Sequence, residues 1–381
     1  MTIAHCAVIG LDIGTGGARA TAVDLDGAIL AEGMSRLPAS ATTVEGARVE
    51  QDPAAWSAAA QQALQTLTRT LPAQTALVGL SVDATSGTFL FVDRQHRAVT
   101  PGCMYNDQRA ADVAPEVAAA LDPVLASYGI RMASSFALPK IVHLIRQQPG
   151  LVKRGQRIVH QTDWIVGMLC GEYGITDIST ALKTGADPGS LCWPAAIEQL
   201  GVPLDLLPQL VLPGTPIGHV TSQAHALTGL PVGLPVLAGC TDGTAGCLAS
   251  GARATGDLNV TLGTTLVFKA LADQPLMDPE GAVYNHRHPA GGYLPGAASS
   301  TGGEWIERHF AGADLAQLGR EARAHLPTRA TVYPLVKVGE RFPFVWPHAR
   351  GFGLDTPADP AARLAAGMEA VAFLERMGSE R

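Results

Sequence analysis

The sequence predicts an α/β protein built as two halves, and three observations carry that expectation. Strand-like runs of aliphatic and β-branched residues alternate with amphipathic helical stretches along the chain. The 381 residues are 47% hydrophobic but only 5% aromatic, with 42 glycines, which points to Ala, Leu and Val cores joined by tight turns. Finally, one arrangement appears near the N-terminus and returns from Pro235: a strand, an acid in a small-residue turn, and a Gly/Thr turn at a strand end. The length suits two or three domains with sizeable cores.

The charge balance narrows the partner. A net charge of −7 with no long basic run leaves no electrostatic footprint for nucleic acid or an anionic membrane surface, so a small-molecule partner is expected. The six cysteines, at 6, 103, 170, 192, 240 and 247, form no C-x-x-C pair and read as small core residues in a reducing, cytoplasmic compartment. The first residues lack a basic region, and no apolar run approaches the roughly 18 residues of a membrane helix, so neither entry into nor crossing of a membrane is expected.

Taken in order, residues 5 to 13 read as the first strand. Gly14-Thr15-Gly16-Gly17 turns the chain into a second strand at Arg19 to Asp24, Asp26-Gly27 signals a hairpin, and a third strand begins at Ala28. Asp12 stands at the first turn. There it either holds a divalent cation, with Thr15 and the amides of Gly14 to Gly17 on phosphate oxygens, or closes an Asx-turn. A strand follows where a dinucleotide fold needs a helix, and the G-x-G-x-x-G spacing fails at Arg19, so that fold is set aside.

Asp52 followed by Pro53 predicts a helix start, and Trp56, Ala60, Leu64, Leu67 and Leu71 mark its buried face. Val78 to Val82 and Phe89 to Val92 read as strands around Asp83-Ala-Thr-Ser-Gly-Thr88, which places Ser86 at a strand end, as a substrate contact or a turn serine. Tyr105-Asn106-Asp107-Gln108-Arg109 offers donors and acceptors suited to a polyol, or else a surface ion pair at a helix start. Helices follow at 110–129 and 138–148, and another opens at His160-Gln-Thr-Asp-Trp164, with Asp163 as its cap. Residues 177–185 read as a loop, and 190–234 as helices and connectors.

Pro235 to Gly239 is again strand-like, Asp242 follows among small residues, Thr244 to Ser250 forms a helical turn, and Leu258 to Leu262 enters the turn Gly263-Thr264-Thr265. Asp242 either faces a phosphate held by that turn or caps the short helix. Two such halves facing each other would form a cleft holding a metal-bound triphosphate. His286-Arg287-His288 lacks a third metal ligand nearby and reads as structural or as a substrate loop. Residues 298–303 are a small-residue loop, 339–344 another loop, and Pro360 to Met377 the last helix.

Together these motifs resemble the FGGY carbohydrate kinases of the sugar kinase, Hsp70 and actin ATPase superfamily, with most likeness to ribulokinase- and xylulokinase-like pentulose kinases. The matching stretches are Gly10-Leu-Asp-Ile-Gly-Thr-Gly-Gly-Ala-Arg19, Val49-Glu-Gln-Asp-Pro53 with Trp56, Asp83-Ala-Thr-Ser-Gly-Thr88, Tyr105-Asn-Asp-Gln-Arg109 and Gln161-Thr-Asp-Trp164. They continue through Ala238-Gly-Cys-Thr-Asp-Gly243, Thr261-Leu-Gly-Thr-Thr265 and Gly339-Glu-Arg-Phe-Pro343.

The resemblance implies two RNase H-like (actin-like ATPase) domains with a cleft between them. The expected domains are 1–234, binding sugar and phosphate, and 235–381, carrying the catalytic acid but truncated before the family's adenine segment. It implies transfer of the γ-phosphate of ATP to a primary hydroxyl of a ketopentose, D-ribulose or D-xylulose, with Asp242 as general base. Asp12, Gly14, Thr15, Gly16 and Gly17 would form the first phosphate and Mg²⁺ element, with Asp12 on the metal directly or through water. Gly263, Thr264 and Thr265 would form the second phosphate element, while Ser86, Asn106 and Asp107, with Asp12 and Asp242, would lie at the sugar. Tyr105 stands where the family usually has Trp. The alternative is a non-catalytic sugar- or nucleotide-binding protein of the same fold; the sequence does not separate monomer from homodimer.

Overall fold

The computed structural model describes residues 5–153 and 157–381. The chain divides into two compact units, one of residues 1–126 and 131–246, the other of 127–130 and 247–381.

In the first unit, a six-stranded sheet is built around strands β1 (His5–Gly14), β2 (Gly17–Asp24) and β3 (Ile29–Arg36), which form consecutive antiparallel pairs. A hairpin, β4 (Thr42–Glu45) and β5 (Arg48–Gln51), leads into helix α1 (Pro53–Thr70). The Asp52 carboxylate caps α1 through the Ala54 amide at 2.9 Å, and Pro53 occupies the first helical position, as the sequence predicts. Strand β6 (Thr75–Ala84) then pairs with β1 in parallel, with Asp12 opposite Asp83.

The α1 face of Trp56, Ala60, Leu64 and Leu67 is buried with Ala18, Ala20 and Ala22 of β2 in the main core. Small residues set the spacing: a Cβ on Gly33 of β3 would come within 2.0 Å of the Ala63 carbonyl oxygen of α1. A second sheet takes β4, β5, β8 (Gly102–Cys103), β7 (Phe89–Val92) and β9 (Arg157–His160) in that order.

Helices α2 (Ala114–Leu125) and α3 (Ala137–Gln147) occupy the predicted stretches. After the short α4 (Gly150–Lys153) and β9, helix α5 (Gln161–Cys170) starts where expected: the Asp163 carboxylate accepts from the His160 amide at 2.8 Å, and left-handed Gly171 ends the helix. The stretch 177–185, read as a loop, is instead β10 (Ile175–Asp177), helix α6 (Ile178–Ala181) and a 3₁₀ turn. Asp177 caps α6 through the amides of Ser179 and Thr180, so the polar letters that suggested a loop are a helix start.

Beyond α7 (Ala196–Gln199), β11 (Gln209–Val211), β12 (Pro216–His219) and α8 (Ser222–Thr228), strand β13 (Pro235–Thr241) joins the first unit's sheet, parallel to β6, and runs into α9 (Asp242–Ala249). The order is β12-β13-β6-β1-β2-β3. The expected division at 234/235 therefore differs from the compact units, which part after Gly246, because β13 hydrogen-bonds to β6. A Cβ on Gly239 would lie 1.7 Å from the Val82 carbonyl oxygen, so a bulged β13 lies against β6 only with glycine there.

The second unit holds an antiparallel sheet, β14 (Leu258–Leu262), β15 (Leu266–Ala270), β17 (Tyr293–Ala298) and β16 (Tyr284–Arg287) in that order. Helices α10 (Glu304–His309), α11 (Leu315–Ala322) and α12 (Pro360–Glu380) contribute to a core of Leu266, Phe268, Trp305, Phe310, Phe342, Leu364 and Leu374. Among the described residues, no helix is long and apolar enough to cross a membrane.

Candidate active site

Three carboxylates gather at the C-terminal ends of three adjacent parallel strands. Asp12 and Asp83 are register partners on β1 and β6, while Cys240 pairs with Asp83, so that Asp242 emerges just beyond the end of β13. Strand ends of an open α/β sheet are where ligand sites form, because loops there leave backbone and side-chain groups unpaired.

The charges of the three acids act on one another. Burial raises the Asp12 carboxyl, the charge of Arg19 opposes this, and Asp242 adds to it. Asp83 is pushed up to about 7, first by burial and then by the charges of Asp12 and Asp242. Asp83 was not singled out from the sequence, where it reads as the polar end of a strand. The Asp12 carboxylate is a hard oxygen donor of the kind a divalent cation takes, and no described residue donates a hydrogen bond to its side chain.

Asp242 is solvent-exposed and accepts the Gly243 amide at 2.7 Å through Oδ1, with Oδ2 free of partners among the described residues. Its place is fixed from behind. The buried Asp177 carboxylate accepts from the Ser179 hydroxyl, and the Ser179 oxygen accepts the Thr241 amide at 3.1 Å, tying the start of α6 to the end of β13.

Lys183, in the 3₁₀ turn that follows α6, was also missed. Its ammonium donates to the Ser86 carbonyl oxygen at 3.3 Å and stands 5.6 Å from the Phe136 ring centroid. Burial lowers its pKa, and the nearby charge of Asp242 pulls it back. One basic residue within reach of both Ser86 and Asp242 is the signal that a loop reading of 177–185 hides.

Ser86 lies where a strand end was expected, and its hydroxyl is buried without a hydrogen-bond partner among the described residues. Fully buried Gln161 has a similarly unpaired Nε2, while its Oε1 accepts from Thr85 at 2.8 Å. Unpaired buried polar atoms of this kind are completed by a ligand or by water. Lys140, fully buried, holds the loop by donating to the carbonyl oxygens of Gly87 at 3.1 Å and Met104 at 2.7 Å.

The Tyr105–Arg109 turn divides. Asn106 is exposed and makes no hydrogen bond among the described residues. Asp107, expected at the sugar, is instead fully buried: its oxygens accept the Val49 amide at 2.6 Å, the Arg109 amide at 3.0 Å, and the Arg109 guanidinium. Arg109 also reaches Glu50 at 2.8 Å. These bonds consume the acceptors of Asp107, which makes it a brace between β5 and the turn.

At the first turn, Thr15 and Gly16 are exposed between Gly14 and Gly17, and the turn is tied down by Gln51 Nε2 on the Thr15 carbonyl oxygen at 3.0 Å and by Leu37 N on that of Gly16 at 2.9 Å. In the second unit, Gly263 and Thr264 are exposed and Thr265 half-buried, and both threonine hydroxyls lack partners among the described residues. Both turns thus present donors suited to phosphate oxygens. His286 is buried on β16, and no group of three or more metal-ligating side chains forms among the described residues.

The chain is similar to known proteins along most of its length. The profile described as the FGGY family of carbohydrate kinases, N-terminal domain, matches residues 7–249. An autoinducer-2 kinase from Photorhabdus laumondii is 27% identical over 377 residues, covering 93% of this chain and 70% of the relative. The xylulose kinase of Escherichia coli K12 is 25% identical over 383 residues, covering 96% and 76%. In a Yersinia enterocolitica autoinducer-2 kinase, 29% identical, the match spans 52% of the relative's length. Among solved structures, the xylulose kinase from Rhodospirillum rubrum superposes with a TM-score of 0.83 at 26% identity, covering 98% of this chain and 80% of that one.

Proposed function

Since the chain belongs to the FGGY family of carbohydrate kinases, which are phosphotransferases, we propose that it transfers the γ-phosphoryl group of ATP to a primary hydroxyl of a ketopentose. The observation that carries this reading is the convergence of Asp12, Asp83 and Asp242 at three neighbouring strand ends, with Lys183 near Asp242 and hydrogen-bonded to the Ser86 carbonyl oxygen.

An alcohol is a weak nucleophile at neutral pH, so a positioned base must take its proton as the new bond forms. Asp242 does this through its free carboxylate oxygen: the O–H proton passes to Asp242, the sugar oxygen bonds to the γ-phosphorus, and the bridging P–O bond breaks to release ADP. Asp12 would hold Mg²⁺, directly or through water. Mg²⁺, when bound, neutralises charge on the phosphate oxygens. Thr15 with Gly14, Gly16 and Gly17, and Gly263 with Thr264 and Thr265, supply hydroxyls and amides to those oxygens. Ser86, Asn106 and Lys183 orient the sugar, and Lys183 adds a positive charge near Asp242. Asp107 acts behind them as a brace.

The test is ADP release with a panel of D-xylulose, D-ribulose, related polyols and autoinducer-2, the last because autoinducer-2 kinases are among the relatives. Turnover with a ketopentose, lost on chelating Mg²⁺, is expected. Sugar binding without ATP binding or consumption would replace this reading with a non-catalytic one.

A further inference from the structure

The Gly339-Glu340-Arg341-Phe342-Pro343 stretch has no part in the chemistry above, yet it contains the most heavily engaged carboxylate in the second unit. Glu340 is 2% exposed. Its Oε2 accepts from the hydroxyls of Ser299 at 3.0 Å, Thr301 at 2.8 Å and Tyr333 at 2.6 Å, and its Oε1 from the amides of Ser300 and, at 2.8 Å, Arg341. Burial alone would raise this carboxyl, but the donors of Tyr333, Ser300, Arg341 and Thr301 outweigh it and hold it below the usual range.

Three of those donors belong to Ser299, Ser300 and Thr301, and the same loop is locked onto the Gly263–Thr265 turn. Leu266 N donates to the Thr301 carbonyl oxygen at 3.0 Å, Ser299 N to that of Leu266 at 2.9 Å, and Gly303 N to that of Gly263 at 2.7 Å. Contact between loop and turn is as close as backbone permits. A Cβ on Gly302 would stand 2.5 Å from the Thr265 Cα and 2.6 Å from the Thr264 carbonyl oxygen, and one on Gly303 would stand 2.9 Å from the Gly263 carbonyl oxygen. Backbone hydrogen bonds and backbone-distance packing thus tie the shape of the turn to this loop.

We propose that Glu340 is a positioning residue for nucleotide phosphates: it fixes the Ser299–Gly303 loop, which in turn holds Gly263, Thr264 and Thr265 in the geometry that receives phosphate oxygens. The inference rests on the phosphate role assigned to that turn. Only an ionised carboxylate accepts five donors at once, since an amide in its place offers one oxygen and brings two hydrogens of its own. Glu340→Gln therefore frees part of the loop. Ser86, Asn106 and Lys183 belong to the other unit, so sugar recognition is left intact.

The experiment is calorimetric titration of full-length protein with ADP and a non-hydrolysable ATP analogue, alongside separate KM values for ATP and sugar. Glu340→Gln is expected to weaken nucleotide binding about tenfold, the effect of one charge-assisted hydrogen bond, and to raise the KM for ATP in step. The sugar KM stays within about twofold of wild type, a difference too small to reflect a lost contact. Tyr333→Phe, which removes one donor and keeps the carboxylate, shifts nucleotide affinity the same way by a smaller factor and carries the test if Glu340→Gln does not fold. Unchanged nucleotide affinity in both variants, or equal rises in both KM values, overturns the proposal. Wild-type protein without nucleotide affinity strikes the functional reading itself, and the inference falls with it.

Discussion

Replacing Asp83 by Asn in metal-free protein should stabilise it, and by an amount that depends on pH. Burial and the charges of Asp12 and Asp242 disfavour the Asp83 anion and push the carboxyl from its ordinary 3.8 up to about 7 in the folded protein. The folded state thus holds this proton more tightly than the unfolded chain does. The stability it contributes is complete below pH 3.8 and is progressively lost as pH rises to and through 7. At about 1.4 kcal/mol for each tenfold change in proton affinity, the full loss is about 4 kcal/mol, and roughly half of that remains if water penetrates the strand ends. Asparagine cannot ionise, so the variant and wild type should match near pH 4, separate by about 2 to 4 kcal/mol at pH 7, and stay parallel above pH 8. Urea unfolding from pH 4 to 9 in EDTA measures this directly. Asp12→Asn, by removing one neighbouring charge, should shrink the gap. A separation that does not change with pH, or a variant less stable at pH 8, would refute the argument.

Two further substitutions probe the sugar side and the core. Lys183→Met should raise the sugar KM about tenfold or more while leaving nucleotide affinity unchanged, since the ammonium belongs with Ser86; steady-state kinetics with each substrate varied separately checks this. Gly102→Ala should cost about 2 kcal/mol or more, because its new Cβ would fall 2.0 Å from the Trp56 ring, which is fully buried and anchored by its Nε1 on Gln51; thermal unfolding reads the loss.

Much of this molecule is written locally. Asp52-Pro53 starts α1, the Gly14–Gly17 turn joins β1 and β2, and Asp242 begins a short helix directly after a strand, all from letters next to one another. What needed the structure depends on partners distant in sequence. The compact units part after Gly246 and not at 234/235 because β13 pairs with β6, and no local signal announces a parallel pairing of that range. Asp107 and Asn106 are adjacent in sequence and equally polar, yet Val49 and Arg109 bury one and leave the other exposed. Asp83 gained its significance only when β1 and β13 brought Asp12 and Asp242 beside it. Lys183 was hidden inside a stretch whose polar residues look the same in a loop and at a helix start.

The central claim, that Asp242 accepts the proton of a sugar hydroxyl during phosphoryl transfer, is tested most directly by comparing wild type and Asp242→Ala in coupled ADP-release assays with D-xylulose and D-ribulose, and measuring sugar binding to both proteins. A loss of several orders of magnitude in kcat, with fold and sugar affinity retained, is the predicted result. Near-normal turnover in Asp242→Ala would contradict it.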